Sequence, residues 1–155
     1  MVDSVELKSD FENQEMIPAR YTADGKDISP PLEISGVDSK AESIALIVED
    51  PDAPGQTFTH WLIWNIPAST KKIPENVAKK EIVEELGGAV QGVNDFGKIG
   101  YGGPAPPSGT HRYVFKLFTL KEQLNTKPGA NKTELLKDMN GLVLQHKRLK
   151  GKYSR

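Results

Sequence analysis

The chain has 155 residues, no cysteine, and a formal net charge of −1 from 20 basic and 21 acidic side chains. This length predicts one domain, residues 1–155, with a core large enough to need no disulfide or metal staple. The balanced charge provides no field that would gather nucleic acid or an acidic membrane. The lack of cysteine excludes disulfides, thiol chemistry and cysteine-ligated metal.

The hydrophobicity pattern gives no sign of export or of a membrane span. The first residues do not show the charged and apolar regions of a signal peptide, and no apolar run approaches about 20 residues. We therefore expect a cytoplasmic protein without stable membrane insertion.

The strongest feature of the sequence is an apolar segment that ends in two carboxylates. Residues 44–48 are β-branched or aliphatic, which predicts a buried β-strand. Asp50 and Asp52 follow directly, and Pro51 and Pro54 cannot donate to a sheet ladder. Because proline also stiffens the backbone, the two aspartates should project from a rigid corner at a sheet edge.

A second buried strand is predicted over residues 57–66, and a tight connection leads to it from the first. The two strands should pair as an antiparallel hairpin, because the connection is short. In a hairpin, the end of one strand lies beside the start of the next. We therefore expect His60 to lie near Asp50.

A glycine- and proline-rich segment covers residues 87–109. It is too long for an ordinary hairpin loop, and such length is typical of a functional loop. It should form one wall of a pocket. A third strand is predicted over residues 111–120, and it begins with His111. Tyr113 lies two residues further along and therefore on the same strand face.

Shorter elements complete the prediction. Residues 5–7 and 32–34 alternate as short strands, and residues 69–85 are charged and predict a surface excursion.

One helix is predicted near the C-terminus. Asn131 can cap it with Glu134 at the third helical position, and apolar residues recur at helical spacing as far as Val143. Gly141 weakens the middle of this helix, so a division into two helices stays open. The lysine-rich residues 147–152 that follow predict a solvated surface.

Acidic and imidazole side chains are concentrated at the predicted strand ends, at Asp50, Asp52, His60 and His111. Two imidazoles can donate N–H bonds to a phosphate or a carboxylate, and backbone N–H groups of residues 102–109 would add a concave anion nest. Asp50 would hold one histidine in a single tautomer. The sequence therefore predicts an anion pocket.

Other interpretations of these residues stay open. Each residue alone is also consistent with ordinary hydrogen bonds at a turn or a strand end. Two histidines and a carboxylate could bind iron or zinc, but no closely spaced ligand pair anchors such a site, so no metal and no cofactor is expected. A histidine and aspartate pair could support catalysis, but Ser108 lies in no recognisable nucleophile elbow. We therefore expect no enzyme.

Several short motifs follow one another along nearly the whole chain. They are Asp50-Pro51-Asp52-Ala53-Pro54, His60-Trp61, Asn94-Asp95-Phe96-Gly97, Tyr101-Gly102-Gly103-Pro104 and Gly109-Thr110-His111-Arg112-Tyr113. Their order and spacing resemble the phosphatidylethanolamine-binding protein family, which includes Raf kinase inhibitor protein, and in particular its compact bacterial and archaeal branch.

The resemblance implies a mainly β fold, with a central antiparallel Greek-key sheet, a second smaller sheet packed on it, and one or more helices near the C-terminus. It also implies a small anion pocket. The corresponding residues are Asp50, Asp52, Pro54, His60, Gly103, Pro104, Ala105, His111 and Tyr113. The family's ligands are phosphate groups, phospholipid headgroups and similar anions, and its members modulate kinases or inhibit serine proteases.

Together these observations predict non-enzymatic binding of a phosphate-like or carboxylate anion, on a phospholipid headgroup or a phosphorylated partner, in a regulatory role. The alternative is a serine protease inhibitor that acts through an exposed loop. A serine protease or a kinase is therefore a candidate partner, and a homodimer is left open.

Overall fold

The computed structural model describes residues 4–155, and the first three residues of the predicted domain lie outside this range. The strands of the described part are β1 (Glu6–Lys8), β2 (Leu32–Ser35), β3 (Ser43–Asp50), β4 (Phe58–Pro67), β5 (Lys72–Ile73), β6 (Ile82–Val83), β7 (Ala89–Gln91), β8 (Thr110–Leu120) and β9 (Val143–Ser154). The α-helix is α1 (Lys132–Met139), and short 3-10 turns cover Ala19–Tyr21 and Glu84–Leu86.

The strands form two antiparallel sheets. The larger has the order β6-β7-β4-β3-β8-β9, and the smaller has the order β1-β2-β5. In the larger sheet, β4 and β7 extend from one side of β3, and β8 then returns to pair with its other side, which is a Greek-key order. The predicted fold class, a Greek-key sheet with a second smaller sheet and a C-terminal helix, is confirmed.

The larger sheet is covered on both faces, and β3 lies at its centre. All eight residues of β3 are buried, which explains why its central residues 44–48 are continuously apolar rather than alternating. Ile44 and Leu46 belong to the core between the two sheets. Ala45 and Ile47 belong to a second core on the opposite face, which includes Leu135 of α1.

The segment predicted as a surface excursion contributes more to the core than expected. It contains the short strands β5 and β6, and its apolar residues Ile73, Val77 and Val83 are buried. The sequence did not indicate this role, because charged residues dominate the segment. Each of the two strands is also only two residues long, which is too short to give a hydrophobicity pattern.

Helix α1 has the predicted capping box. The side chain of Asn131 accepts from the N–H of Glu134 at 2.9 Å, and the Glu134 carboxylate accepts from the N–H of Asn131 at 3.0 Å. The helix ends at Met139, and Gly141 just beyond it has a left-handed φ of 81°. The predicted continuation of the helix to Val143 is therefore wrong.

The last part of the chain forms β9, which pairs with β8 along its length. The predicted solvated surface over residues 147–152 is therefore an edge strand. Its inward positions Gln145, Leu149 and Gly151 are buried. Only one of these is a large apolar residue, so the two-residue period was too weak to predict a strand.

None of the helices in residues 4–155 combines the length and the apolar character needed to cross a bilayer.

Gly151 lies where the N-terminal segment packs against β9. A Cβ atom at this position would be 2.4 Å from Ile17 Cγ1 and 2.8 Å from Phe11 Cε2. We expect Gly151→Ala to lower the free energy of unfolding by about 1–3 kcal/mol, because the added methyl overpacks this contact. Urea denaturation measures the change. Lys152→Ala, on the same strand, is the control and should change stability by less than about 0.5 kcal/mol. Equal loss in both variants would contradict the packing described.

Candidate functional site

A cavity of about 170 Å³ lies where β3 ends and where β4 and β8 begin. The strand pairing explains the location, because Asp50 pairs with Phe58 in β4 and Glu49 pairs with Val114 in β8. The polar lining residues are Asp50, His60, His111 and Tyr113, and the apolar ones are Ala53, Pro54, Phe58, Phe96, Ala105, Pro106 and Pro107.

Asp50 and His111 form a buried pair. His111 Nδ1 lies 2.6 Å from Asp50 Oδ2, and both residues are less than a tenth exposed. Because the carboxylate accepts this bond, Nδ1 carries the hydrogen, and Nε2 is left for another partner. The second oxygen, Asp50 Oδ1, accepts from the N–H of Asp52 at 2.7 Å. The aspartate therefore fixes the ring of His111, as predicted, and is itself fixed.

His60 is held by the backbone of the glycine-rich segment. Its Nδ1 donates to the carbonyl of Gly102 at 2.6 Å, and the N–H of Gly102 donates to the carbonyl of His60 at 2.9 Å. Burial lowers the pKa of His60 from its ordinary value of 6.5. The ring is therefore neutral at pH 7, with Nε2 as an acceptor.

Tyr113 lies beside both histidines. Its ring centroid is 5.3 Å from that of His60 and 6.4 Å from that of His111. The hydroxyl is buried and has no hydrogen-bond partner in the described part of the chain. Burial also raises the pKa of Tyr113, so the hydroxyl keeps its proton near neutral pH. It is a free donor in a cavity that holds two free imidazole nitrogens.

The charge of the cavity is unusual for an anion site. No lysine or arginine is among its lining residues in the described part of the chain, and Asp50 is its only carboxylate. Positive charge in this cavity must therefore come from protonation of an imidazole.

Comparison with known proteins identifies the family. The sequence pattern of the phosphatidylethanolamine-binding protein family matches residues 7–154. The chain belongs to this family. The UPF0098 protein of Pyrococcus horikoshii is 50% identical to it over 154 residues, which are 98% of this chain and 77% of the relative. The resemblance found in the sequence is confirmed.

Two solved structures of the family share the fold. A phosphatidylethanolamine-binding protein homolog from Chlamydia trachomatis superposes with a TM-score of 0.90 at 35% identity, over 98% of both chains. YbcL of E. coli, which is described as a new member of the mammalian phosphatidylethanolamine-binding protein family, superposes with a TM-score of 0.90 at 29% identity, over 99% of both chains.

The structure brings most of the residues implied by the family resemblance to the cavity. Those that line it are Asp50, Pro54, His60, Ala105, His111 and Tyr113. The other three, Asp52, Gly103 and Pro104, are not among its lining residues and have other roles.

Asp52 joins the turn that contains Pro51 and Pro54 to β8. Its carboxylate accepts from Arg112 Nη2 at 2.8 Å, from Arg112 Nε at 2.9 Å and from the backbone N–H of Arg112 at 2.8 Å. The Arg112 side chain lowers the pKa of Asp52 to about 2. This pair keeps Asp50, two residues earlier, beside His111.

Gly103 and Pro104 hold the glycine-rich segment against the N-terminal part of the chain. The N–H of Gly103 donates to Asp27 Oδ1 at 2.6 Å, and the carbonyl of Pro104 accepts from the N–H of Ala23 at 3.0 Å. A Cβ on Gly103 would lie 2.6 Å from the carbonyl oxygen of Tyr21. Glycine is required here for close packing of two backbones.

The predicted anion nest is wrong for the glycines of residues 102–109. The N–H of Gly102 and of Gly103 donate within the chain as described, and the N–H of Gly109 donates to the carbonyl of Arg155 at 3.1 Å. This segment contributes an apolar wall to the cavity instead, through Ala105, Pro106 and Pro107.

The sequence did not predict two aromatic residues that line the cavity, Phe58 and Phe96. Their ring centroids are 4.9 Å and 5.5 Å from that of His60. Phe58 could have been found, because it lies two residues before His60 on the same strand face. Phe96 lies in a turn in which its N–H donates to Asn94 Oδ1 at 2.9 Å. The local sequence did not indicate that this turn would pack beside His60 in the folded chain.

Among residues 4–155, no group of three histidine, aspartate or glutamate side chains is arranged to hold a metal ion.

The pair between Asp52 and Arg112 should make stability depend on acid. The pKa of Asp52 is about 2 in the folded protein, against an ordinary value of 3.8. The ionised Asp52 therefore stabilises the folded state fully at pH values above 3.8, and this contribution is lost as the pH falls through 2. We expect Asp52→Asn to lower the free energy of unfolding by about 0.2–1 kcal/mol at pH 6. Between pH 4 and 2, the stability of this variant should fall less steeply than that of the parent.

Chemical denaturation at a series of pH values measures this. Glu12→Gln is the control, because Glu12 is exposed and forms no ion pair in the described part of the chain. A stability curve for Asp52→Asn that parallels the parent from pH 6 to 2 would contradict the assignment.

Proposed function

We propose that this protein binds a phosphate-like or carboxylate anion in the cavity formed by Asp50, His60, His111 and Tyr113, without catalysing a reaction on it. The observation that supports this most directly is the buried Tyr113 hydroxyl, which has no hydrogen-bond partner among residues 4–155. A buried donor without a partner costs free energy, about 1–3 kcal/mol, which an anionic oxygen would recover.

The two histidines supply complementary groups. Each ring is fixed through Nδ1, so each offers Nε2. When His111 is protonated, its pair with Asp50 is neutral overall and Nε2–H can donate to the anion. Neutral His60 accepts from a hydroxyl on the ligand, whereas protonated His60 donates.

The size of the cavity favours a small group. A volume of about 170 Å³ is below the roughly 300–1,000 Å³ of sites that enclose drug-sized ligands. It suits a phosphate or headgroup, with any attached chain left outside. A few charge-assisted hydrogen bonds of about 1.5–3 kcal/mol each, less the cost of association, correspond to millimolar to micromolar affinity.

The lining residues also support binding rather than covalent catalysis. No serine, threonine or lysine side chain is among them, and Ser108 lies outside. The imidazoles therefore have no serine, threonine or lysine nucleophile to activate in this cavity.

Tyr113→Phe tests the role of the free hydroxyl. We expect affinity for inorganic phosphate to fall about three- to tenfold while the unliganded protein keeps its stability, because the lost hydroxyl had no partner. Isothermal titration calorimetry and thermal unfolding measure the two effects. Tyr153→Phe is the matched control, since the Tyr153 hydroxyl donates to Asp24 at 2.8 Å and Tyr153 is not among the lining residues.

Unchanged phosphate affinity in Tyr113→Phe, or equal losses in both variants, would contradict the proposal. Inhibition of a chymotrypsin-like or subtilisin-like protease that survives His60→Ala and His111→Ala would instead favour the alternative, an inhibitory exposed loop.

The pH dependence of binding provides a second test. Dimethyl phosphate is a suitable probe because its single charge is constant near neutral pH. Since burial lowers the pKa of His60 below 6.5, its charged form is populated only below that value. We expect affinity for this probe to rise as pH falls from 7.5 to 5.5, with proton uptake on binding. His60→Gln should flatten that rise, and an unaltered rise in this variant would contradict the role given to His60.

A further inference from the structure

Arg155 directly follows β9 and lies beside the anion cavity, although it is not one of the lining residues. Its backbone extends the pairing of β8 and β9 by one residue on each strand. The N–H of Arg155 donates to the carbonyl of Gly109 at 3.2 Å, and the N–H of Gly109 donates back at 3.1 Å. Two such exchanged bonds define opposite residues of an antiparallel pair, so the position of Arg155 relative to β8 is fixed.

This register places the side chain of Arg155 on the same face of the sheet as the cavity. His111 pairs with Tyr153 two residues earlier on β9, and Tyr113 pairs with Gly151 two residues before that. Residues two apart on a strand share a face, and so do opposite residues of paired strands. His111 and Tyr113 line the cavity. Arg155 is therefore a diagonal neighbour of His111, and such neighbours lie about 7–8 Å apart, within reach of a long side chain.

The guanidinium of Arg155 is held at the edge of the cavity. Its Nη2 donates to Asp24 Oδ1 at 2.5 Å, and its Nε donates to Asp24 Oδ2 at 3.2 Å. Its Nη1 lies 3.5 Å from the carbonyl oxygen of Pro106, which is a lining residue. Burial raises the pKa of Tyr113, and the positive charge of Arg155 opposes this rise, so the charge reaches the hydroxyl in the cavity. A permanent cation thus lies just outside a cavity that is lined by no lysine or arginine of residues 4–155.

The ion pair with Asp24 is one that Arg155 can leave at little cost. The two side chains are 39% and 38% exposed, and pairs this open to water contribute little to stability. Asp24 also accepts from the Tyr153 hydroxyl at 2.8 Å, so it keeps a donor when Arg155 is withdrawn. A phosphate group offers the guanidinium the same forked arrangement of acceptor oxygens as a carboxylate. Asp24 and a bound phosphate can therefore compete for one cation.

We propose that Arg155 is a movable ligand-binding residue, which leaves Asp24 and pairs with a doubly charged phosphate in the cavity, so that the site prefers phosphate monoesters. This inference rests on the anion binding proposed above and names the class of its ligand. A monoester carries close to two negative charges above pH 7, whereas a diester or a carboxylate carries one. The charge of Arg155 therefore favours the monoester complex over the other two. Phospholipid headgroups joined through one phosphate are diesters and bind less well.

Methyl phosphate and dimethyl phosphate are the probes, because they differ in charge and little in size, and acetate represents the carboxylates. Isothermal titration calorimetry at pH 7.5 measures the three affinities. Methyl phosphate should bind the parent about threefold or more tightly than either of the others. Arg155→Met should weaken methyl phosphate binding about tenfold and dimethyl phosphate binding less than about threefold.

Arg148→Met is the matched control. It removes the same charge from an exposed residue of the same strand, and Arg148 is not a lining residue of the cavity. We expect it to change each affinity by less than about twofold, because water and salt screen a distant exposed charge. Retained binding of dimethyl phosphate by Arg155→Met would show that the cavity is still formed in that variant.

Asp24→Asn tests the competition for Arg155. The neutral amide holds the guanidinium less strongly, so more of the protein is ready to bind, and affinity for methyl phosphate should rise about threefold or more. The amide oxygen can still accept from the Tyr153 hydroxyl. In the Arg155→Met background, the same substitution should lose most of this gain, whereas a through-space effect of the Asp24 charge would persist there.

Equal losses for methyl and dimethyl phosphate in Arg155→Met would assign Arg155 to support of the cavity wall through Pro106. That result would overturn this proposal and leave anion binding in place. A parent without preference for methyl phosphate, or a gain from Asp24→Asn that persists without Arg155, would overturn it in the same way. Binding of none of the three probes to the parent would overturn the anion site itself, and this inference with it.

Discussion

The hydrogen bond between His111 and Asp50 is the constraint on which the site depends. It joins the end of β3 to the start of β8, two strand ends that are 61 residues apart in sequence. Asp50 is held from the other side by the N–H of Asp52, and Asp52 is clamped to Arg112. The chain of bonds fixes a proline corner onto the sheet. One consequence is chemical, because a histidine whose Nδ1 is committed to a carboxylate presents Nε2 in a defined orientation.

The second histidine, His60, is held by a different kind of hydrogen bond, and this difference affects the charge of the cavity. His60 donates to a backbone carbonyl rather than to a carboxylate, and burial disfavours its charged form. With no lysine or arginine among the lining residues of the described chain, the proposed selection of an anion would depend on protonation and on the Tyr113 hydroxyl. Such a cavity would respond to the charge state of the proposed ligand as well as to its shape, as expected of the modest affinity that we propose.

The sequence predicted those parts of the site that follow from local periodicity. The hairpin argument placed His60 near Asp50, and the two-residue period of a strand placed Tyr113 on the same face as His111. Long-range pairing could not be predicted in the same way. Asp27 accepts from Gly103 across 76 residues, which removes a donor from the expected anion nest. β9 was missed because its inward face is mostly polar or small, so its stability comes from pairing with β8 rather than from its own pattern.

Histidine NMR during a phosphate titration tests the central claim most directly. Long-range proton–nitrogen spectra report which ring nitrogen carries hydrogen, and the titration reports which rings sense the anion. The account predicts that His60 and His111 are both hydrogenated at Nδ1 before ligand is added, and that both Nε2 signals shift with one common midpoint. Hydrogen at Nε2 in either neutral ring, or two independent midpoints, would show that the two imidazoles do not form one site.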